Sequence, residues 1–374
     1  MVHTSKKVGI GIIGLDHWYW ALSAAYNISL NPNAKLIAIA EPREKFCKKV
    51  AEVYNAETYY TDYHKLLENE RIDGVVITTT TDMHTEVALE AAKAGKNILI
   101  GKPIARTLQE ARKIVASSKL YGIKLMAIGS GILPNDPIKK FIDDGVIGKP
   151  FAANASIFAI LPLREPGVNE PGWFINPYKA AGGGFIDHAV YLAALLRGYL
   201  DSEVTRVYAE MGKFVYRDYN VEDHGIAILR FANGSIGTIE STFTSVMRTH
   251  NFMRIIGTKG EMEITENTIS ILSIQENYKK KISVEILSPN PVFERNYVEK
   301  AIPFPPFAAK HKPVIDEYIK CLIEKDREPT LTGEDAYKVL EICLAAYLSI
   351  KEKKPIELPL KTEVDVPSIL STCL

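Results

Sequence analysis

Short apolar strands alternate with amphipathic helices over residues 1–130, and this alternation constrains the fold more than any other feature. The predicted strands are rich in Val and Ile, and they are Val8–Ile13, Lys35–Ala40, Gly74–Thr80, Asn97–Ile100 and Lys124–Ile128. Helix-period segments lie between them, at Arg43–Tyr54, Glu86–Ala94 and Gln109–Tyr121. Such alternation favours right-handed crossovers. We therefore predict an α/β fold whose first domain, residues 1–130, is a doubly wound parallel sheet.

The pattern changes after Pro150. Residues 203–289 carry long alternating runs, and Asn233-Gly234 is a hairpin-turn signal within them. Two helices are predicted to close the chain, about Phe307–Lys325 and Gly333–Lys351. We predict a second α/β domain, residues 131–374, around a large, mostly antiparallel sheet with one open face. That face bears "IGTIEST" and is expected to pair with another subunit, which predicts a homodimer or homotetramer.

Composition excludes several functional classes. Lys and Arg (45) balance Asp and Glu (45), so no global basic field favours nucleic acid or acidic lipid. The cysteines are scattered without metal-ligand spacing, which predicts neither a disulfide framework nor a metal site. No stretch reaches the roughly 18 apolar residues of a membrane span. The run Val8–Leu15 is too short and glycine-rich for a signal peptide, so we predict a cytoplasmic protein.

The stretch "VGIGIIGLDHWYW" contains a literal G-x-G-x-x-G at Gly9, Gly11 and Gly14. In a dinucleotide-binding Rossmann fold the glycines follow the strand, where a helix N-terminus faces the pyrophosphate. Gly9 and Gly11 fall inside the first strand, so we predict that the working loop begins at Gly14. Asp16 and Tyr19 then replace the second and third glycines of the motif. A tight turn without a ligand is the alternative interpretation.

The cofactor residues predicted here are Gly14, Asp16, His17 and Trp18, followed by Glu41 and Arg43 at the end of the second strand. The Asp16 carboxylate would repel a pyrophosphate unless it turned away, and we expect it to cap the helix that starts near His17. Glu41 can accept hydrogen bonds from ribose hydroxyls and would repel a 2′-phosphate, which favours NAD and leaves NADP possible. Arg43 could stack on adenine or meet a phosphate. The alternative for Glu41 is a solvated residue that opens a turn.

Two stretches carry candidate chemistry. "ILIGKPIA" places Lys102 at the carboxyl end of a strand, where α/β sheets bind ligands. In "AAGGGFIDHAVYLAALLRGYL", Gly182–Gly184 allow close backbone approach before a helix. On that helix Asp187 and Tyr191 are four residues apart and share one face, whereas His188 points roughly 100° away. The alternative for Tyr191 is a core aromatic residue.

Several segments, in this order, resemble the Gfo/Idh/MocA family of oxidoreductases, and the resemblance runs from about Val8 to Pro359. The segments are "TTTTDMHTEVALEAAKAGKNILIGKPIA", "GGGFIDHAVY", "ANGSIGTIES" and "GEDAYKVLEICLAAYLSIKEKKPIELP". "GKP" resembles the family's Glu-Lys-Pro motif with Gly101 in place of Glu. Tyr191 stands where most members carry histidine, and some members are similar in using tyrosine there.

The resemblance implies hydride exchange between NAD(P) and a hydroxyl-bearing carbon of a sugar, inositol or related polyol. It implies that Tyr191 takes the hydroxyl proton while Lys102 steadies the developing oxyanion. A tyrosine has an unperturbed pKa of about 10, and we expect the Lys102 ammonium to lower it. Asp187 is expected to orient Lys102 or the substrate hydroxyl.

Further site residues are predicted around these groups. Thr79, Thr80, Thr81 and His84 are expected to border the nicotinamide ribose, with a capped helix start as the alternative, and Lys102 is expected to contact the cofactor as well as the substrate. Substrate contacts are expected from Arg164, Trp173 and His188, besides Lys102, Asp187 and Tyr191. Two other functions stay open: an NAD-dependent glycoside hydrolase or lyase on the same scaffold, and a non-catalytic, cofactor-sensing regulator.

Overall fold

The first sheet has six parallel strands in the order β3-β2-β1-β4-β5-β6. The computed structural model describes residues 7–245, 250–266, 268–275, 278–285, 302, 305 and 307–374. The strands are β1 Val8–Ile13, β2 Ala34–Ala40, β3 Thr58–Tyr60, β4 Gly74–Ile77, β5 Asn97–Ile100 and β6 Leu125–Ala127. The predicted doubly wound parallel sheet is confirmed. The edge strand β3 was not predicted, because three half-buried residues show no apolar run.

Five helices connect these strands: α1 Trp18–Leu30, α2 Glu44–Val53, α3 Tyr63–Leu67, α4 His84–Lys93 and α5 Leu108–Leu120. The predicted helices match α2, α4 and α5 to within about two residues at each end, the usual uncertainty of such boundaries. The third predicted strand ends earlier than expected, at Ile77. A 3₁₀ turn over Thr81–Met83 follows it, so the threonines after Ile77 belong to a loop at the carboxyl edge of the sheet.

The second sheet has nine strands in the described part of the chain, in the order β14-β13-β12-β11-β7-β10-β9-β8-β15. Neighbours are antiparallel except for the parallel pair β7 and β10. Asn233 and Gly234 lie in the turn between β9 and β10, as predicted, and Gly234 has a φ of 88°. Residues 286–289 of the predicted alternating region lie outside the described residues. The strands are β7 Pro150–Phe158, β8 Val204–Gly212, β9 His224–Phe231, β10 Ile236–Thr242, β11 His250–Gly257, β12 Gly260–Thr265, β13 Thr268–Gln275, β14 Tyr278–Glu285 and β15 Ile356–Glu357.

Helices cover one face of this second sheet and leave the other open. Five helices follow β6 in the described part of the chain, and not all of them pack on this sheet. They are α6 Pro137–Asp143, α7 Gly184–Tyr199, α8 Ala308–Ile323, α9 Gly333–Glu352 and α10 Val366–Cys373. α7 and α9 pack on the sheet in one apolar core. On β9 the residues alternate, so that Ala227 and Leu229 are buried while Ile226 and Ile228 are exposed. The mostly antiparallel, open-faced sheet is thereby confirmed.

The end of the chain differs from the prediction of two closing helices, because α10 forms a third. Asp365 caps it by accepting a hydrogen bond from the Ser368 amide, and Pro367 starts its first turn. Only eight residues long, α10 has too few turns for its apolar period to stand out in the sequence. None of the helices in the described ranges is long and apolar enough to cross a membrane.

α8 follows strands β7–β14 of the second sheet in sequence but packs against α1 of the first domain. Ile315 and Ile319 lie in the same apolar core as residues of β1 and β2. The Tyr318 hydroxyl lies 2.9 Å from the Asn97 carbonyl oxygen at the edge of β5. This packing brings the N-terminal turns of α8 beside the start of α1. The domain boundary at residue 130 stays a prediction.

Candidate active site

The turn from β1 into α1 contains a glycine that no other residue could replace without strain. Gly14 has a φ of 80°, and a Cβ there would lie 2.7 Å from the Thr79 Cα. Gly9 and Gly11 lie within β1, where Gly9 packs against the backbone of Arg71. The literal motif is therefore a coincidence of strand packing, and the loop begins at Gly14 as predicted.

Asp16 does not cap α1, contrary to the prediction. His17 occupies the N-cap position and makes no side-chain cap bond. The Asp16 carboxylate instead turns toward Arg43, whose Nη2 lies 3.3 Å from its Oδ1. Desolvation and, to a lesser extent, the nearby Glu41 carboxylate raise the pKa of Asp16, and Arg43 opposes them, so that the pKa lies at about 6.

Glu41 is buried, which contradicts the alternative of a solvated turn residue. Its Oε2 accepts a hydrogen bond from the Leu15 amide at 2.8 Å, and its Oε1 accepts one from Arg43 Nε at 2.6 Å. The backbone amide and Nη2 of Arg43 add two more, both at 3.1 Å. Arg43 also donates to Glu165 Oε2 of the second domain at 2.8 Å. A ribose hydroxyl would therefore reach Glu41 only if Arg43 gave way.

A loop of the second domain closes over the start of α1. The Trp18 indole donates to the Leu163 carbonyl oxygen at 2.9 Å, and the Trp173 indole donates to the Asp16 carbonyl oxygen at 3.2 Å. His17 is buried, and its Nε2 lies 2.7 Å from the Tyr19 hydroxyl oxygen. Desolvation lowers the pKa of His17, so its imidazole is neutral. The structure therefore places Trp173 against the glycine loop.

The threonines after β4 line the edge of the first sheet beside Gly14. Thr79 contacts Gly14, and the Thr80 side chain at the start of the 3₁₀ turn makes no cap bond. His84 begins α4, and its Nδ1 lies 3.0 Å from the Pro103 carbonyl oxygen. Burial lowers the pKa of His84 to about 4. The alternative of a capped helix start is therefore wrong, since neither the Thr80 side chain nor the Met83 side chain caps a helix here.

Buried polar atoms without a hydrogen-bond partner lie at this edge, and they test whether the site fits a polar ligand. Among the described residues they include Thr81 Oγ1, His84 Nε2, His17 Nδ1 and Asp187 Oδ2. Unsatisfied buried polar atoms are rare in folded proteins, because each one costs free energy. A ligand that brings donors and acceptors, such as a ribosyl-nicotinamide, would satisfy them. The site therefore fits a dinucleotide.

Lys102, Asp187 and Tyr191 meet at the carboxyl end of β5, although they come from two domains. Lys102 is buried, and its Nζ donates to the Asp187 carbonyl oxygen at 2.6 Å and to the Asp187 carboxylate. The same Nζ lies 5.4 Å from the centroid of the Tyr191 ring, over its face. Desolvation lowers the pKa of Lys102, and Asp187 opposes that change. The Asp187 carboxylate thus stabilises an ammonium that burial alone would discharge.

The expected lowering of the Tyr191 pKa is wrong for this structure. Desolvation raises the pKa of Tyr191, and the Asp187 carboxylate raises it further. A hydrogen bond from the Trp20 indole acts in the opposite direction. The Lys102 ammonium lies over the ring face and donates to Asp187 rather than to the phenol oxygen. Tyr191 is therefore a protonated phenol at neutral pH.

His188 lies beside this cluster and lines a small cavity of about 60 Å³. Its Nδ1 is 3.4 Å from Asp187 Oδ2, and desolvation lowers the pKa of His188 to about 4. The cavity has room for a few water molecules. Its other lining residues are mostly apolar: Trp18, Tyr19, Ala159, Ile160, Pro162, Leu163 and Phe307.

Arg164 lies apart from the cluster. Its guanidinium is half exposed and donates to Glu170 at 2.9 Å. The adjacent Glu165 carboxylate is 3.9 Å away. The structure does not bring Arg164 to Lys102 or to the cavity, and its substrate contact stays a prediction.

Sequence reasoning missed two residues that support the cluster. The Trp20 indole donates to the Tyr191 hydroxyl oxygen at 2.9 Å, across 171 positions of sequence. Glu222 Oε1 accepts hydrogen bonds from the Gly183 and Phe185 amides at the start of α7. Trp20 lies one helical turn after His17, and this spacing places it on the same face of α1 as a predicted cofactor residue. That was the signal by which the sequence could have indicated it. Glu222 gave no signal, because it stood within an alternating run assigned to the sheet.

Two family models match the chain in domain order. The model of the oxidoreductase family's NAD-binding Rossmann fold matches residues 8–128, and that of the GFO/IDH/MocA C-terminal domain matches residues 137–263. The chain is 23% identical to Myo-inositol 2-dehydrogenase of Thermotoga maritima over 359 residues, which are 94% of this chain and 97% of the relative. It is 26% identical to scyllo-inositol 2-dehydrogenase (NAD(+)) of Bacillus subtilis over 364 residues, 95% and 96% of the two chains.

Solved structures agree with this assignment at the level of the fold. Levoglucosan dehydrogenase in complex with NADH matches with a TM-score of 0.77 at 22% identity, over 95% of this chain and all (100%) of that one. Since both predicted domains match in order, the chain belongs to the Gfo/Idh/MocA family of oxidoreductases, and its first domain is an NAD-binding Rossmann domain.

Proposed function

We propose that this oxidoreductase transfers hydride between NAD and a hydroxyl-bearing carbon of a sugar, inositol or related polyol. The observation that carries the proposal is the buried Lys102–Asp187 pair beside the Tyr191 ring, assembled from both domains. Ligands bind at this edge of open α/β sheets and between domains. The relatives quoted above are described as dehydrogenases, which favours hydride transfer over the hydrolase and sensor alternatives.

The cofactor-binding residues follow from their places around the sheet edge. The loop of Gly14, Asp16, His17 and Trp18 would hold the pyrophosphate, and the Thr79–Thr81 segment with His84 would border the nicotinamide ribose. Glu41 would accept the adenosine ribose hydroxyls once Arg43 leaves it, and Arg43 would then lie beside adenine. The Glu41 carboxylate disfavours a 2′-phosphate, so the proposal is NAD in preference to NADP. When bound, this cofactor accepts or supplies the hydride at its nicotinamide ring.

The catalytic roles follow from the protonation states of the cluster. Tyr191 is held as a phenol, the form that donates a proton to the oxygen of a carbonyl under reduction. The Lys102 ammonium stabilises the negative charge that develops on that oxygen, and Asp187 keeps the ammonium in place. In the oxidising direction Tyr191 must first release its own proton to solvent, and the phenolate oxygen then takes the hydroxyl proton. His188 and Trp173 are proposed to contact the substrate from the second domain.

Tyr191→Phe and Lys102→Met test these roles. Because general acid–base groups contribute about 10²–10⁴-fold, we expect each variant to lose at least about a hundredfold in kcat on a substrate found by screening sugars and cyclitols with NAD. Tyr199→Phe is the matched control, since Tyr199 lies on the same helix and its hydroxyl contacts Asp136 instead. Retention of turnover within about threefold in both site variants would refute the assignment.

We propose that the open face of the second sheet forms an interface with another subunit. Exposed apolar side chains on it include Ile226, Ile228 and Ile236, each more than 40% exposed. Isolated subunits rarely expose such a contiguous apolar patch. We expect a homodimer or homotetramer by light scattering, and a monomeric mass would contradict this.

A further inference from the structure

Trp20 contacts the proposed proton donor directly. Its indole Nε1 lies 2.9 Å from the Tyr191 hydroxyl oxygen, and the side chain is buried between α1 and α7. An indole N–H can donate but cannot accept, so the direction of this hydrogen bond is unambiguous. Tyr191 is therefore the acceptor, and its own proton is free to point toward another group.

A second ring holds the Trp20 indole in this orientation. His311 of α8 stacks on it with centroids 3.5 Å apart and planes 8° from parallel. Burial lowers the pKa of His311, so the stacked imidazole carries no charge. The indole therefore has little freedom to rotate its N–H away from Tyr191.

The other groups that face Tyr191 do not bond to its oxygen. The Lys102 ammonium lies over the ring, the Asp187 carboxylate repels a phenolate, and the His188 ring is 6.3 Å away. Tyr191 lies near enough to Tyr19 to contribute to the raised pKa of the Tyr19 phenol. Among the described residues, Trp20 is thus the one hydrogen-bond partner of the Tyr191 oxygen.

We propose that Trp20 is a positioning residue for Tyr191, whose indole N–H fixes the phenol oxygen and stabilises it after the proton has left. The inference rests on the proposed role of Tyr191 and deepens it. A hydrogen bond to an anionic oxygen is about twice as strong as one to a neutral oxygen. The contact therefore favours the deprotonated state, in opposition to desolvation and Asp187. The N–H offsets part of these two effects, although the pKa of Tyr191 stays above its ordinary value.

The test replaces Tyr191 by difluorotyrosine, a more acidic phenol whose ionisation is followed by ¹⁹F NMR without any substrate. In this labelled protein we expect Trp20→Phe to raise the pKa of the label by about one to two units, the worth of a hydrogen bond to a charged group. Trp18→Phe is the matched control, because the Trp18 indole donates to the Leu163 carbonyl oxygen instead. The control should leave the titration of the label unchanged.

A second variant guards against misfolding. Benzothienylalanine at position 20 keeps the bicyclic shape and the stack on His311 but lacks the N–H, so it should raise the pKa of the label as Trp20→Phe does. An unchanged titration in this variant would overturn the proposal. If the titration shifts while no sugar or cyclitol is turned over by the unlabelled protein, the role of Trp20 stands and the proposed function fails. If a substrate is turned over, the alkaline limb of the kcat–pH profile of the Trp20 variants should shift to higher pH, in the same direction as the pKa of the label.

Discussion

Two of the glycine-bearing turns that lead into helices lie at the proposed site, and they use glycine for different purposes. The turn into α1, at the proposed cofactor site, keeps a single glycine of the dinucleotide motif, Gly14. The turn into α7, which carries Asp187 and Tyr191, has three glycines in a row, Gly182–Gly184. The glycine-rich turn is thus not the one proposed to hold the pyrophosphate.

The three glycines are explained by protein atoms that approach them. A Cβ on Gly182 would lie 2.8 Å from Tyr347 Cζ, one on Gly183 would lie 2.6 Å from Val221 Cβ, and one on Gly184 would lie 2.6 Å from the Asp223 carbonyl oxygen. Distances below 3.0 Å leave no room for a side chain. The backbone before β9 therefore packs directly on the start of α7.

Glu222 supplies the polar part of this contact. Its Oε1 accepts hydrogen bonds from the Gly183 amide at 2.8 Å, the Phe185 amide at 3.0 Å and the Tyr347 hydroxyl at 2.7 Å. Burial raises the pKa of Glu222 to about 7. The comparison teaches that a run of glycines indicates a backbone in close contact with another group. That group can be another part of the protein and need not be a ligand.

The largest expected effect is that of Gly183→Ala, which would break the α7 turn. The new Cβ would overlap Val221 and the Glu222 backbone, and overpacking of a core costs about 3 kcal/mol. We expect the melting temperature to fall by about 4 °C in scanning calorimetry, because the unfolding entropy is about 2.1 cal/mol/K per residue. Gly131→Ala is the matched control, because its Cβ would meet atoms no closer than 3.6 Å. If Gly183→Ala had the same melting temperature as Gly131→Ala, the α7 turn would not depend on close packing.

A smaller effect is expected at the α1 turn, where Asp16 replaces a glycine. With its pKa raised to about 6, Asp16 is neutral below that pH and ionised above it. The ionised form would repel the pyrophosphate, so we expect NAD to bind about threefold more tightly at about pH 5 than at about pH 8. Calorimetric titration of Asp16→Asn should remove this pH dependence, whereas Asp143→Asn on the exposed α6 should keep it. A pH dependence that persists in Asp16→Asn would place the pyrophosphate away from this turn.

Much of the fold followed from local pattern. Buried runs of Val and Ile identified five of the six parallel strands, and Asn233-Gly234 identified a hairpin, because these signals act over a few neighbouring residues. The catalytic candidates Lys102, Asp187 and Tyr191 followed from short motifs, and the structure brings them together. Arg164 pairs with Glu170 away from this cluster, and its substrate contact stays a prediction.

The sequence by itself determined the order of strands and helices, the open-faced second sheet and the identity of the residues that meet at the edge of β5. The tertiary structure alone decided the electrostatics of that meeting. Lys102 donates a hydrogen bond to Asp187, and Arg43 pairs with the Glu41 and Asp16 carboxylates. The Trp20 indole donates to the Tyr191 hydroxyl oxygen from the other domain. Ionisation depends on desolvation and on charges within a few ångströms, and those neighbours are set by packing between residues far apart in the chain.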